Sequence, residues 1–158
     1  MNGGMDELYR EVILDHHRRP RGQQPLPGPA DARAEGKNPS CGDELLLELA
    51  CAGEAITAAH VACHGCAIAT ASGSILAELV PGRTPEQARA LAEAFREAMH
   101  SPDGALPDSL DPGDLEVLTG VRKFPARVKC ALLPWITLLS ALEARDGKAA
   151  GLPATTEA

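Results

Sequence analysis

The chain predicts an α+β fold, a small antiparallel β-sheet packed against about five helices. Two observations carry this. Apolar residues between Leu45 and Cys63 alternate with a period of two around a turn at Gly53, as a hairpin does. Most other apolar residues recur at helical spacing, in segments divided by Pro and Gly. A chain of 158 residues fits one domain. Residues 1–146 are assigned to it, and residues 147–158 to a flexible C-terminal tail.

Residues 6–18 form the first helix, because Leu8, Tyr9, Val12, Ile13 and His16 share one face and Pro20 with Gly22 ends it. Residues 20–40 are rich in Pro and Gly and form an ordered loop, with a weak edge strand at 30–35. Leu45, Leu47, Leu49 and Cys51 line the buried face of a strand. Residues 55–63 return beside it, with Ala59, Val61 and Cys63 on one face. The helix at 67–80 carries Ile68, Ser72, Ile75, Leu76 and Leu79 on one stripe and stops at Pro81-Gly82.

Thr84-Pro85-Glu86-Gln87 starts the next helix. Thr84 is the N-cap, Pro85 occupies the first turn and Gln87 closes a capping box. It runs to about Met99 and buries Ala88, Leu91, Phe95 and Met99. Asp111-Pro112 opens a short helix that Gly120 closes. The last helix begins near Pro125, with Val128, Ala131, Leu132, Trp135, Leu138, Leu139 and Leu142 on a broad apolar face. Pro134 lies inside it and has no N–H for the Cys130 carbonyl, which predicts a kink or looseness one turn beyond that cysteine.

Fifteen Lys and Arg stand against 22 Asp and Glu, a net charge of −7. That balance argues against nucleic-acid binding, which rests on positive charge. The only aromatics are Tyr9, Phe95, Phe124 and Trp135, so stacking platforms for bases are nearly absent. No stretch approaches the ~20 apolar residues of a membrane span. The N-terminal MNGGMDELYR carries no hydrophobic signal region, and a cytoplasmic protein is expected. His16, His17, Arg18, Arg19 and Arg21 cluster at the end of the first helix, where cations complement the helix dipole or dock a partner. His60 and His64 fall on the strand face opposite Cys63 and are expected to be solvated.

Five cysteines, an odd number, do not read as a disulfide framework in a cytoplasmic chain. Metal binding or thiol chemistry is the better starting point. In Cys41-Gly42-Asp43, a thiol and a carboxylate two residues apart can share one cation, and Gly42 lets the backbone turn closely around it. Cys66 stands at a helix N-terminus, whose free N–H groups favour a thiolate. Cys130 shares a helix face with Arg127 and Pro134. Cys63 and Cys66 also form a C-x-x-C pair, although Cys63 lies on the core face of its strand. Cys51 is expected in the core. Three thiols and Asp43 can make a tetrahedral Cys₃Asp site, suited to zinc or to iron–sulfur chemistry.

The motifs resemble a known family. Leu8-Tyr9-Arg10, Asp15-His16, Pro20-Arg21, Asn38-Pro39-Ser40-Cys41-Gly42-Asp43, Gly65-Cys66-Ala67-Ile68, Ala71-Ser72-Gly73-Ser74 and the run from Lys123 to Ala131 are similar to the IscU/NifU-N-like iron–sulfur cluster assembly proteins. The resemblance covers about Leu8 to Leu142. Within that family the chain resembles the SufU branch. Lys129 stands where IscU scaffolds carry His, Pro125-Ala126-Arg127-Val128-Lys129 replaces their Pro-Pro-Val-Lys motif, and residues 101–114 look like the SufU insertion.

The resemblance implies a SufE/NifU-like fold and a zinc site of Cys41, Asp43, Cys66 and Cys130. It implies a pyridoxal-phosphate (PLP)-dependent cysteine desulfurase of SufS type as partner, and a downstream SUF scaffold. In the family picture a desulfurase His takes a place on the zinc and frees Cys41, which accepts the persulfide sulfur. Arg127, matching a family Arg, orients the site. Cys63 departs from the family's usual Gly and adds a thiol that can pair with Cys66 or serve as an alternative ligand.

Three readings stand. The chain is a zinc-dependent sulfurtransferase, a partner of the desulfurase rather than a stand-alone enzyme. Alternatively it is a scaffold that assembles a [2Fe–2S] cluster, or holds iron, on the same residues. The third reading is a thiol oxidoreductase using Cys63 and Cys66.

Overall fold

The structure is a computed structural model describing residues 3–147 and 154–156. Helix α1 (Gly3–Arg18) leads through the Pro/Gly-rich loop into strand β1 (Ala32–Asn38). Strands β2 (Asp43–Ala52) and β3 (Ala55–His64) follow, then helices α2 (Ala67–Leu79), α3 (Pro85–Ala98), α4 (Asp114–Leu118) and α5 (Pro125–Arg145). A two-residue strand β4 (Ala154–Thr155) comes last. The sheet order is β3-β2-β1-β4.

The hairpin is as expected, with Leu47 opposite Val61 and a register shift at Ala50/Cys51. Alternation puts Leu45, Leu47 and Leu49 on one face, where the helices cover them. α5 packs on β1 and β2, α2 on β3 and α5, α1 on α2, and α3 on α5. Phe95 meets Trp135 in the core with ring centroids 5.8 Å apart and tilted by 56°. The Thr84–Gln87 capping box is formed in both directions.

Several expectations change. The weak strand at 30–35 extends to Asn38, because its whole length pairs with β2 from Ala32↔Leu49 to Asn38↔Asp43. The short helix expected from Asp111 starts only at Asp114, after left-handed backbone at Asp111 (φ 51°), and passes into a 3₁₀ segment at Thr119–Lys123. The loop before it is pinned by arginines. Arg122 Nη1 donates to the carbonyls of Ser101 (3.1 Å) and Pro102 (2.9 Å), and Arg83 to those of Leu110 and Asp111 (both 2.8 Å).

The sheet is mixed rather than antiparallel, because β4 runs parallel to β1. Of the expected tail, residues 154–156 lie along the sheet edge, while residues 148–153 and 157–158 lie outside the described residues. An unpaired strand edge offers free N–H and C=O groups. Here Thr156 N–H donates to Lys37 O at 3.2 Å. Against the expectation from the sequence, α5 has the length and apolar content of a membrane span; it is a core helix, with eleven residues buried.

Pro134 does not break α5, which is continuous across it. Ser72 on α2 supports the turn: its buried hydroxyl donates to Ala131 O at 2.6 Å and accepts from Trp135 Nε1 at 3.1 Å. The bond falls on Ala131, next to the Cys130 carbonyl that Pro134 leaves without its donor, and ties α2 to α5 there.

Candidate metal centre

Three elements converge at one end of the sheet. β1 ends at Asn38, whose carbonyl accepts from Cys41 N–H (3.3 Å) and Gly42 N–H (2.9 Å). Gly42 has φ +74°, the left-handed backbone that glycine adopts without strain. This reversal leaves Cys41 exposed at the loop tip and delivers Asp43 as the first residue of β2.

Asp43 is only 1% exposed, and both its carboxylate oxygens are engaged. Oδ1 accepts from Cys66 N–H and Oδ2 from Asn38 Nδ2, each at 2.9 Å. A β-carbon at Gly65 would collide with this carboxylate, so the close approach requires glycine there. Cys66 is the N-cap of α2, and its Sγ accepts from Ala69 N–H at 3.5 Å. Cys130 is fully buried in the first turns of α5, with Sγ 3.4 Å from Cys41 Sγ and 3.4 Å from Asn38 Nδ2.

Ligand atoms of Cys41, Asp43 and Cys130 lie within 4.8 Å of one another. Two sulfurs on a tetrahedral zinc with ~2.3 Å bonds stand about 3.8 Å apart, close to the observed pair. Cys66 neighbours Cys130 but falls outside this compact set, its sulfur turned to the start of α2. Burial, then hydrogen bonds with Cys41, Cys66 and Asp43, push the Cys130 thiol well above its ordinary range. Thiols and a carboxylate packed together oppose one another's ionisation, and a dication reverses that sign. The donor set therefore fits a metal ion.

Arg127 is exposed and hydrogen-bonds Cys130, which, with the nearby Cys66 and Cys41, raises its guanidinium further. Lys129 Nζ reaches Ser40 Oγ in the Cys41 loop at 3.5 Å. Cys63 lies half-buried beneath the site, hydrogen-bonded to Thr70, and burial pushes its thiol up to about 11. Cys51 is only half-buried, at the register shift of the hairpin.

Two histidine expectations are corrected. His16 is buried and joins three helices, with Nδ1 2.6 Å from Ser74 Oγ and Nε2 2.9 Å from Asp114 Oδ2. Glu78 is near, and the Arg21 guanidinium bonds Glu78 (3.2 Å) and Asp15 (2.9 Å). Of the basic cluster, only His17, Arg18 and Arg19 are exposed. His60 is not solvated: its Nδ1 bonds Gly22 O at 3.0 Å and holds the Pro/Gly-rich loop. His64 is exposed, as expected.

Sequence reasoning missed Asn38 as a site residue. Beside Pro39 it reads as a turn former, and only its buried amide shows otherwise. Thr156, whose hydroxyl donates to Asn38 Oδ1 at 2.9 Å, left no local signal.

Residues 8–131 match the NifU-like N terminal domain family. The chain is 36% identical over 146 residues to the zinc-dependent sulfurtransferase SufU of Bacillus subtilis, covering 92% of this chain and 97% of that one. It is 35% identical over 139 residues to the iron–sulfur cluster assembly scaffold protein IscU of Streptococcus pyogenes, covering 88% and 85%. The crystal structure of an iron–sulfur cluster assembly scaffold protein for the SUF system, SufU of Fervidobacterium islandicum AW-1, superposes with a TM-score of 0.75 at 32% identity, covering 84% of this chain and 94% of that one. The convergent Cys/Asp cluster sits within the matched span, and the chain belongs to the NifU-like N-terminal domain family of iron–sulfur cluster assembly proteins.

Proposed function

We propose that this protein is a zinc-dependent sulfurtransferase of the cytoplasm. It takes persulfide sulfur from a PLP-dependent cysteine desulfurase of SufS type and hands it to a SUF scaffold. The observation that carries this is the pairing of an exposed Cys41 with a buried Cys130, their sulfurs 3.4 Å apart. One thiol is presented to a partner while the other anchors the site.

Cys41, Asp43, Cys66 and Cys130 would hold the metal, with Cys66 turning from its cap position. Bound zinc would keep these thiols deprotonated at neutral pH. Cys41 thiolate attacks the outer sulfur of the partner's Cys–S–SH. A new S–S bond forms on Cys41 and the old one breaks, and the partner cysteine leaves as thiolate. The proton stays on the transferred sulfur, so no net oxidation occurs. Arg127, beside Cys130 and near Cys41, supplies positive charge where the thiolates gather. Exposure at a loop tip suits Cys41 to meet a partner.

A second reading, a [2Fe–2S] scaffold on the same residues, is favoured by the likeness to IscU. Lys129, directed to Ser40 beside Cys130, replaces the scaffold branch's His and favours transfer. The C-x-x-C oxidoreductase reading is opposed by Cys63, whose half-buried thiol is pushed up to about 11 and makes a poor nucleophile.

Protein purified without oxygen should contain about one zinc per chain and no acid-labile sulfide. Iron with matching sulfide, moving to an apo-ferredoxin, would establish the scaffold reading instead. Cys41→Ala should abolish stimulation of a SufS-type desulfurase, and full stimulation by that variant would remove Cys41 as acceptor.

A further inference from the structure

We propose that the C-terminal strand is part of the metal centre: Thr156 fixes the Asn38 amide, and that amide positions Asp43 and Cys130. This rests on reading Cys41, Asp43, Cys66 and Cys130 as the metal ligands.

Asn38 is fully buried and every polar end of it is used. Its backbone carbonyl holds the Cys41–Gly42 turn. Its Nδ2 donates to Asp43 Oδ2 (2.9 Å) and to Cys130 Sγ (3.4 Å), spending both N–H bonds of the amide. The carbonyl end then faces the other way and accepts from Thr156 Oγ1 at 2.9 Å. One residue thus supports three of the four proposed ligands.

The two ends of the amide are chemically opposite, and that fixes its orientation. Rotated by half a turn, Asn38 would aim its oxygen at a carboxylate and a sulfur, which are acceptors when ionised. The Thr156 hydroxyl locks the far end of the same rigid plane. Thr156 is itself held by its N–H on Lys37 O (3.2 Å) and by the parallel register Gly36↔Ala154 and Lys37↔Thr155. Losing a group that orients a first-coordination ligand typically costs about ten- to a hundredfold in metal affinity. The coupling is reciprocal, so metal binding must also tighten β4 on the sheet edge.

The test is zinc affinity of the full chain, read by competition with a chromophoric chelator. Thr156→Val should weaken zinc about tenfold, the low end for an outer-shell partner, and Thr156→Ser should restore it. Asn38→Ala should weaken it by roughly ten- to a hundredfold, and adding Thr156→Val should cost nothing more, because Thr156 acts through Asn38. The cobalt(II) absorption bands should shift in both single variants, and zinc should slow amide hydrogen exchange at Thr156.

Wild-type affinity in Thr156→Val, or independent losses in the double variant, overturns the proposal. If Asn38→Ala does not fold, the Val/Ser pair at Thr156 still decides. Cys130→Ser separates the two layers. Zinc that Cys130→Ser does not weaken refutes the ligand assignment itself. Zinc lost in Cys130→Ser but indifferent to Thr156→Val refutes only the role of the strand.

Discussion

Ser72→Ala removes one oxygen from the core and tests what ties α2 to α5 beside Pro134. The hydroxyl donates to Ala131 O at 2.6 Å and accepts from the indole N–H of the fully buried Trp135 at 3.1 Å. Alanine leaves both groups without that partner. A buried polar group stripped of its bond costs about 1–3 kcal/mol. The indole has no alternative, whereas the carbonyl sits in a helix, so the combined loss is about 3 kcal/mol. For a chain of this size each kcal/mol moves Tm by roughly 2–4 °C, giving a fall of about 9 °C. The assay is thermal and urea unfolding with chelator present, so that metal linkage does not mask the change. Trp135→Phe removes the indole donor, and Ser72→Ala on that background should cost about 1 kcal/mol less. A loss below about 0.5 kcal/mol in the single variant would show that the Ser72 bonds are incidental.

The remaining predictions concern the site and its surroundings. At pH 8 a thiol at about 11 is ionised to only ~0.1%; Cys63 should therefore alkylate far more slowly than exposed Cys41 in metal-free protein, its rate rising about tenfold per pH unit. Equal labelling in a mass-resolved time course would contradict its burial. Gly65→Ala drives a methyl into the Asp43 carboxylate and should cost about 1–3 kcal/mol in unfolding experiments while weakening zinc; an unchanged variant would mean that Asp43 moves freely. The Arg21 hydrogen bond holds the Asp15 carboxyl below its ordinary 3.8. That stabilisation is complete above about pH 5 and is lost as pH falls through the lower folded-state value. Asp15→Asn should accordingly flatten the acid side of the urea-midpoint profile, and an unaltered slope would dissociate Asp15 from acid stability.

Residue type and family motif single out Cys41-Gly42-Asp43, Cys66 and Cys130. In the fold Cys41, Asp43 and Cys130 converge. Cys66 carries an equal signal in the sequence, yet it stands at the N-cap of α2 outside the compact set. Spacing along a chain does not specify a rotamer. His16 shows the same limit from the other side. On its helix it shares the apolar face and also reads as a terminal cation, and only the packing of α1 against α2 and α4 shows it to be a buried tie.

What the sequence determined by itself is local. The caps, the Gly53 hairpin and the helical stripes follow from interactions within a few residues, whose energies depend little on the rest of the chain. The tertiary structure decided everything that joins distant segments. Cys41 meets Cys130 across 89 positions, and Thr156 meets Asn38 across 118. Such contacts form because helices and strands bury their apolar faces together, and the polar groups carried along must then find partners where packing leaves them. No periodicity encodes that outcome, which is why Asn38, Ser72 and the closing strand emerge only from the folded protein.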